Sequence, residues 1–537
     1  MAVDAVDPVD RTKDPVVATP YGAVRGRYEN GIAVFRGIPY AAPPFGPRRF
    51  RPPVPPEPWD GVRDAGAFGP TPPKPPYSEA FARLLSDPVV PGDDCLNLNV
   101  WTPEPDPGAR LPVMVWIHGG ALTRGSSAVP VYDGRAFARD GVVLVSLNYR
   151  LGVEGYGLFP DAPANPGLRD QLAALEWVRE SIARFGGDPG SVTVFGESAG
   201  AISIGALLAA PRARGLFHRA VLQSGPPEVS DRDKVRRMVR RMATRLKVPA
   251  TAEAFSAVDR ELLLRTQAEV SRLSSPVLGG PAFGIVVDGD LVPRDPLRAL
   301  VEGAAPDVGL LLGWTSEEYR LWLVPGGLLE RVDRLGPVAL AGAMARCRCG
   351  HEVPRGYRAL HPDTGTAELV GQMVTDHVLR VPLHRLADAR GGESPAYVYE
   401  FAWPSNVPDL GACHGLELGF VFDTADVPES AKLAGEGAPR ELADAMHSAW
   451  VRFAVDGDPG WAAWDASHPV RVFGAGEPHT VHGPRDRELA LWEAESAKPV
   501  GAAESTPAVR PPTGPPTRTA PLSAVRRLRR AGGAGRP

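Results

Sequence analysis

The sequence predicts an α/β protein built on one large, mostly parallel central sheet flanked by helices, with helical cap insertions. Three observations lead there. Short apolar runs rich in Val and Ile recur along the chain, with the near-continuous hydrophobicity of strands buried on both faces. Helix-like stretches separate many of them. Turn formers punctuate the rest: the 537 residues include 59 Gly and 59 Pro.

The elements follow in order. Residues 1–14 are polar and expected to be flexible. GIAVFRG, from residue 31, reads as a strand, and the Pro-heavy stretch after it, to about residue 92, reads as irregular. LNLNVW (96–101) alternates like a strand, and VMVWIH (113–118) and VVLVSLNY (142–149) read as buried strands. Over 170–185, Leu172, Leu175, Val178, Ile182 and Phe185 recur every three or four residues and line one helix face, which the Gly pair at 186–187 ends. SVTVF (191–195) is a strand, SAGAISIGALLAA after it a helix, and RAVLQS (219–224) the next strand. The charged segment 229–275 predicts a helical cap. LLLGW (310–314) and AYVYEFAW (396–403) return to strands, and ELADAMHSAWVRFAV (441–455) is a late helix. The folded α/β body is expected over 15–496. Beyond it, 497–537 is poor in apolar residues and rich in Pro, Gly and Arg, the composition of a disordered tail.

The bulk chemistry excludes several classes. Charge is balanced, with 59 basic against 63 acidic residues, so the whole chain offers nucleic acid and membrane surfaces no attraction. No apolar run is long enough to span a bilayer. The start lacks the basic and apolar regions of a secretory signal. The four cysteines, Cys95, Cys347, Cys349 and Cys413, are too few for a disulfide framework and lack zinc-site spacing. Reduced thiols in a cytoplasmic protein, with no metal and no cofactor, are the expectation.

The chemistry centres on VTVFGESAGA, residues 192–201. A serine between two glycines is also what a plain turn looks like. Here the motif follows an apolar strand and opens a helix, the setting a nucleophile elbow needs. Gly196 and Gly200 let the backbone fold tightly, and Ser198 then projects its hydroxyl at a helix N-terminus, where N–H groups favour developing negative charge. A second Gly-rich loop, IHGGAL (117–122), follows another buried strand and is placed to aim N–H groups at the same point as Ala199.

With these residues in view, the sequence resembles the type B carboxylesterases, the cholinesterase-like branch of the α/β-hydrolases. The resemblance spans about residues 15–495 and is carried by VFRGIPYAAPP, DDCLNLNVWTP, PVMVWIHGGA, NYRLG, GLRDQLAALEWVRESIARFGGDPGSVTVFGESAGA, GLFHRAVLQSG and GACHGLELGFVF. It implies an α/β-hydrolase fold and hydrolysis of small to medium carboxylic esters through an acyl-enzyme, with a Ser, Glu, His triad in that chain order. Ser198 then maps to the nucleophile and His414, of 11 histidines, to the base. The acid maps to LLLGWTSEEYRLWL, where the family's Asp-Glu-Gly is Glu317-Glu318-Tyr319. Glu318 fits the spacing, Glu317 remains an alternative, and Tyr319 stands where a Gly is usual. The oxyanion donors map to the N–H groups of Gly120, Ala121 and Ala199, while Leu122 replaces a common aromatic. Glu197 and Ser224 map beside the triad, Ser224 near the acid. Two scaffold ion pairs are also implied, Arg150 with Asp170 and Arg49 with Asp93.

Departures from the family inform as well. Secreted relatives bridge the cysteine at Cys95 to an upstream partner, yet residues 51–94 contain none. The Trp that holds a quaternary ammonium in cholinesterases is missing from FARLLSDPVV, so choline esters are not expected to be preferred. Amide, carbamate or lactone hydrolysis would use the same machinery, a lipase would need a lid, and a non-catalytic relative would lose the serine that this chain keeps. Cys413 reads as a packing residue or a sensitive thiol, and RRLRR (526–530) as a solvated end or an acidic-ligand site. The natural ester and the oligomeric state are not legible.

Overall fold

Short apolar runs become strands wherever both faces are covered. In the computed structural model, which describes residues 13–272, 274, 280–391 and 394–496, there are fourteen strands. They are β1 (Val16–Thr19), β2 (Gly22–Arg25), β3 (Arg27–Glu29), β4 (Ile32–Pro39), β5 (Val62–Asp64), β6 (Asn97–Thr102), β7 (Leu111–Ile117), β8 (Val143–Leu147), β9 (Gly187–Glu197), β10 (Arg219–Gln223), β11 (Gly309–Thr315), β12 (Ala396–Phe401), β13 (Pro469–Phe473) and β14 (His479–His482). β1, β2 and β5 form a small separate sheet.

The other eleven form one sheet in the order β14-β13-β12-β11-β10-β9-β7-β8-β6-β4-β3. Neighbours from β13 to β8 pair in parallel, and the strands at both margins pair antiparallel. The central strands are accordingly solid with Val, Leu and Ile: all five residues of β8 are buried, and so are the last five of β7. Among the described residues, no helix is long and apolar enough to cross a membrane.

The helix expected at 170–185 runs instead over Pro166–Ser181, with Pro at its first turn, and continues as a 3-10 turn over Ile182–Phe185. Gly186 closes it at φ 87°, the left-handed cap that favours glycine. The segment after β10 is helical, over Arg232–Leu246, Ala252–Ser256 and Arg260–Val270. Asp231, Thr251 and Asp259 cap these helices by accepting the N–H three residues on. A second helical layer lies between β11 and β12, with helices such as Leu328–Leu335, Pro337–Cys347, Glu352–Leu360 and Thr366–Thr375 around a separate apolar cluster that includes Tyr319, Leu323, Tyr357 and Met373. No element was expected there. The compact unit reaches Glu495; the disordered tail expected at 497–537 and its RRLRR run lie outside the described residues, as do residues 1–12 of the expected flexible start.

The implied Arg150–Asp170 pair is present: Arg150 Nε and Nη2 meet the two Asp170 oxygens at 2.8 and 2.6 Å, and both side chains are buried. The implied Arg49–Asp93 pair is not. Arg49 is buried and meets Glu154 at 2.6 Å, donating also to the carbonyls of Ser256 and Val258. Asp93 is exposed and takes Arg260 at 2.8 Å. The buried guanidinium thus finds a buried carboxylate, and the exposed carboxylate a half-buried cation.

Candidate active site

Four strand ends build the site. β9 delivers Ser198, β7 the Gly119–Leu122 loop, β11 Glu318, and β12 the chain that leads to His414. All lie beyond the carboxyl ends of parallel strands, where α/β sheets place ligands.

Ser198 sits between β9 and the helix Ala199–Leu208, at φ 54° and ψ −121°. A non-glycine residue in this region is strained and is held there by its surroundings. Its N–H donates to the Gln223 carbonyl at 2.8 Å, and its own carbonyl takes the Ile202 N–H at 2.9 Å. The turn also explains the second glycine of the motif: a Cβ on Gly200 would stand 1.9 Å from the Ile117 carbonyl oxygen at the end of β7. The elbow therefore closes directly onto the strand that carries the neighbouring loop.

In that loop Gly120, Ala121 and Leu122 all take positive φ, at 107°, 54° and 57°. The Gly120 carbonyl is turned inward to accept the N–H groups of Thr123 and Arg124 at 3.1 and 3.0 Å. Gly120 N–H, Ala121 N–H and Ala199 N–H have no hydrogen-bond partner among the described residues. Such unspent donors around a nucleophile can receive a developing oxyanion.

His414 is buried between two carboxylates. Its Nδ1 meets Glu318 Oε2 at 2.5 Å and its Nε2 meets Glu197 Oε1 at 2.7 Å. Trp322 packs on the ring with centroids 4.5 Å apart. Glu318 is fully buried, and its other oxygen accepts the Thr315 N–H at 2.8 Å. Burial opposes the charge on Glu318, but His414, Ser224 and that N–H outweigh it and lower the carboxyl below its usual range. Burial likewise opposes protonation of His414, and the Glu197 and Glu318 carboxylates reverse this, raising the imidazole well above its ordinary value. No hydrogen bond joins the Ser198 hydroxyl to His414 among the described residues. An imidazole that donates from Nδ1 has only a lone pair on Nε2, so the short contact to Glu197 describes the doubly protonated ring.

Glu317 points elsewhere, to Arg320 at 2.6 Å and the Ala412 N–H at 2.9 Å. Tyr319 adopts φ −61° and ψ −22°, an ordinary helical conformation, so no glycine is needed at this position. Its buried ring is received by Gly371, where a Cβ would stand 2.3 Å from a ring carbon.

Two further residues escaped the sequence reading. Trp322 is one. Glu417 is the other: it is fully buried, accepts from Gln223 at 3.2 Å, and is pushed up to about 8 by burial and by Glu197 and Glu318. Burial and the neighbouring carboxylates thus favour its protonated form, three residues after His414. Its only sequence signal was that spacing. Cys413 is buried in the apolar core, and burial raises its thiol, which makes it a packing residue.

A cavity of about 380 Å³ opens over Ser198, His414, Ala121 and Leu122, with Trp322, Val378 and Leu379 among its walls. The sheet and the strained serine turn define an α/β-hydrolase with a partly enclosed, largely apolar reaction site. Comparison with known proteins gives the family. The carboxylesterase family model matches residues 13–469. The para-nitrobenzyl esterase of Bacillus subtilis (strain 168) is 37% identical over 466 residues, covering 84% of this chain and 92% of the relative. The phenmedipham hydrolase of Pseudarthrobacter oxydans is 36% identical over 460 residues, covering 83% and 90%. A crystal structure of a Geobacillus stearothermophilus carboxylesterase superposes with a TM-score of 0.76 at 38% identity, covering 89% of this chain and 99% of that one. The chain belongs to the carboxylesterase family and is a carboxylic ester hydrolase.

Proposed function

We propose that Ser198, His414 and Glu318 are the catalytic triad of this esterase, with Gly120, Ala121 and Ala199 as the oxyanion donors. The observation that carries the reading is the buried His414–Glu318 contact of 2.5 Å in the cavity that also exposes Ser198. His414 loses its extra proton, turns Nε2 from Glu197 to the Ser198 hydroxyl, and takes the serine proton as Oγ attacks the ester carbonyl. The carbonyl oxygen gains charge and meets the three N–H groups. His414 then protonates the leaving alcohol, and water repeats the sequence on the acyl-serine. Glu318 holds the ring tautomer and balances its charge; Ser224 supports Glu318.

A nitrophenyl butyrate ester should give a burst of nitrophenol of about one equivalent per enzyme, followed by slower turnover. Stopped-flow absorbance reads it, and turnover without covalent labelling of Ser198 would remove the serine from this role.

The acid limb of kcat/KM follows from the site. His414 must be neutral to act as base, so activity falls as pH drops through its raised pKa, above 6.5. Glu197→Gln removes one of the charges that raise it, so the limb moves to lower pH. A limb that stays in place, or moves up, would show that Glu197 does not set this proton.

The reading extends to small and medium esters, which suit a cavity of about 380 Å³, and to a catalytic body over 15–496. It includes a cytoplasmic location, supported by Cys95 being a buried thiol with no cysteine over 51–94 to bridge it. A small-molecule ester is then the partner, without nucleic acid or membrane.

A further inference from the structure

A pair of charges is buried behind the Gly119–Leu122 loop, outside the reaction cavity. Lys74 and Asp87 form an ion pair whose side chains are only 2% and 8% exposed. The pair also holds one peptide of the loop that follows β7. Lys74 Nζ donates to the Gly125 carbonyl at 3.1 Å, and Asp87 holds Lys74 in place for that bond.

Gly125 in turn backs the oxyanion loop. It takes φ 91°, and a Cβ there would stand 2.6 Å from both the Gly119 carbonyl oxygen and His118 Nδ1. His118 Nδ1 meets the same Gly119 carbonyl at 2.8 Å. Its ring stacks on Tyr149 with centroids 4.5 Å apart, and the Tyr149 hydroxyl donates to the His118 carbonyl at 2.7 Å. Gly125 therefore lies close against Gly119 and His118, the residues that lead into the Gly120 and Ala121 N–H groups.

The segment that supplies the charges is mostly irregular: Phe81, Leu84 and Leu85 pack its second half onto the core and Ser86 takes Lys432 at 3.0 Å, while the ion pair fixes the part that faces the loop. Over residues 71–90 only the short helix Glu79–Ala82 forms. The ends meet through Thr71 N–H to the Val90 carbonyl at 3.0 Å and Val90 N–H to the Thr71 hydroxyl at 3.2 Å. Arg124 adds weak surface contacts, 3.4 Å to the Pro76 carbonyl and its guanidinium over the Tyr77 ring. Burial opposes both charges, and their close mutual contact and the Lys74 bond to Gly125 offset that cost.

We infer that Lys74 and Asp87 are positioning residues for the reaction, holding Gly125 so that the Gly120 and Ala121 N–H groups keep their aim at the oxyanion. This rests on the oxyanion role proposed above. Neither residue touches substrate. Their effect should therefore appear in the transition state and leave ground-state binding unchanged.

The experiment compares wild type with Lys74→Met, Asp87→Asn and the double variant Lys74→Met/Asp87→Leu. The readouts are kcat and KM on nitrophenyl butyrate, inhibition by an alkyl trifluoromethyl ketone (which forms a tetrahedral oxyanion on the serine), and thermal midpoint. Both single variants are expected to lose roughly tenfold or more in kcat, with KM little changed and the ketone Ki raised by a similar factor. The double variant leaves no unpaired buried charge and should recover its thermal midpoint. On our inference its kcat and ketone affinity stay low. Recovery of both together with the midpoint would reduce the pair to a structural tie and overturn the inference, as would a folded single variant with wild-type kcat. If the ketone fails to inhibit wild type, the oxyanion reading itself fails, which keeps the two failures apart.

Discussion

Ser198→Ala is expected to abolish the burst and to lower kcat by at least about 10⁴-fold while the protein stays folded. The elbow explains both halves. Ser198 contributes its backbone to the turn, through the 2.8 Å bond from its N–H to Gln223 and the 2.9 Å bond from Ile202 N–H to its carbonyl. Alanine keeps both bonds, and the strain at φ 54° and ψ −121° is a backbone property that it shares. What disappears is the hydroxyl on which the acyl group must rest. KM should change little, because the cavity walls remain. Near-wild-type turnover in Ser198→Ala would end the triad reading, and an unfolded variant would contradict the account of the turn.

Arg150→Met should produce a large loss of stability, about 3–5 kcal/mol. The reason is the partner it leaves behind. Asp170 is fully buried, and it receives the Arg150 N–H at 3.0 Å as well as two guanidinium bonds. The same guanidinium donates to the Arg51 carbonyl at 2.6 Å, joining three distant stretches of chain. Methionine fills the space but leaves a carboxylate in the core. A lower urea midpoint would record this. Arg150→Met/Asp170→Leu should regain much of the loss, since no buried charge remains. A single variant within 1 kcal/mol of wild type would show that the pair is not a keystone of the scaffold.

Much of the sheet was legible because its signal is local. β7, β8, β9, β10 and β11 lie on runs rich in Val or Leu and β12 on an aromatic one, and each expected strand overlaps an observed one. The later helical layer was not legible: its helices are short, many carry few buried residues, and Leu328–Leu335 buries none fully. They gain their order from packing on one another, which no single window of sequence reports.

The site divides in the same way. By itself the sequence determined the α/β class, the elbow around Ser198, the Gly-rich loop at 119–122, and the family to which both belong. These are written in neighbouring residues, where backbone geometry dictates residue type: Gly200 must be bare because Ile117 presses on it. Only the tertiary structure decided which glutamate faces His414, since Glu317 and Glu318 are adjacent and a half-turn of chain sends one to Arg320 and the other to the imidazole. It also decided that the Tyr319 ring fits because Gly371, fifty-two positions away, makes room, that Arg49 answers to Glu154, and that Glu197 and Glu417 crowd the histidine. Each of these is a contact between residues distant in the chain or a choice between neighbours. Their energies depend on burial and distance, and those quantities exist only once the chain has folded.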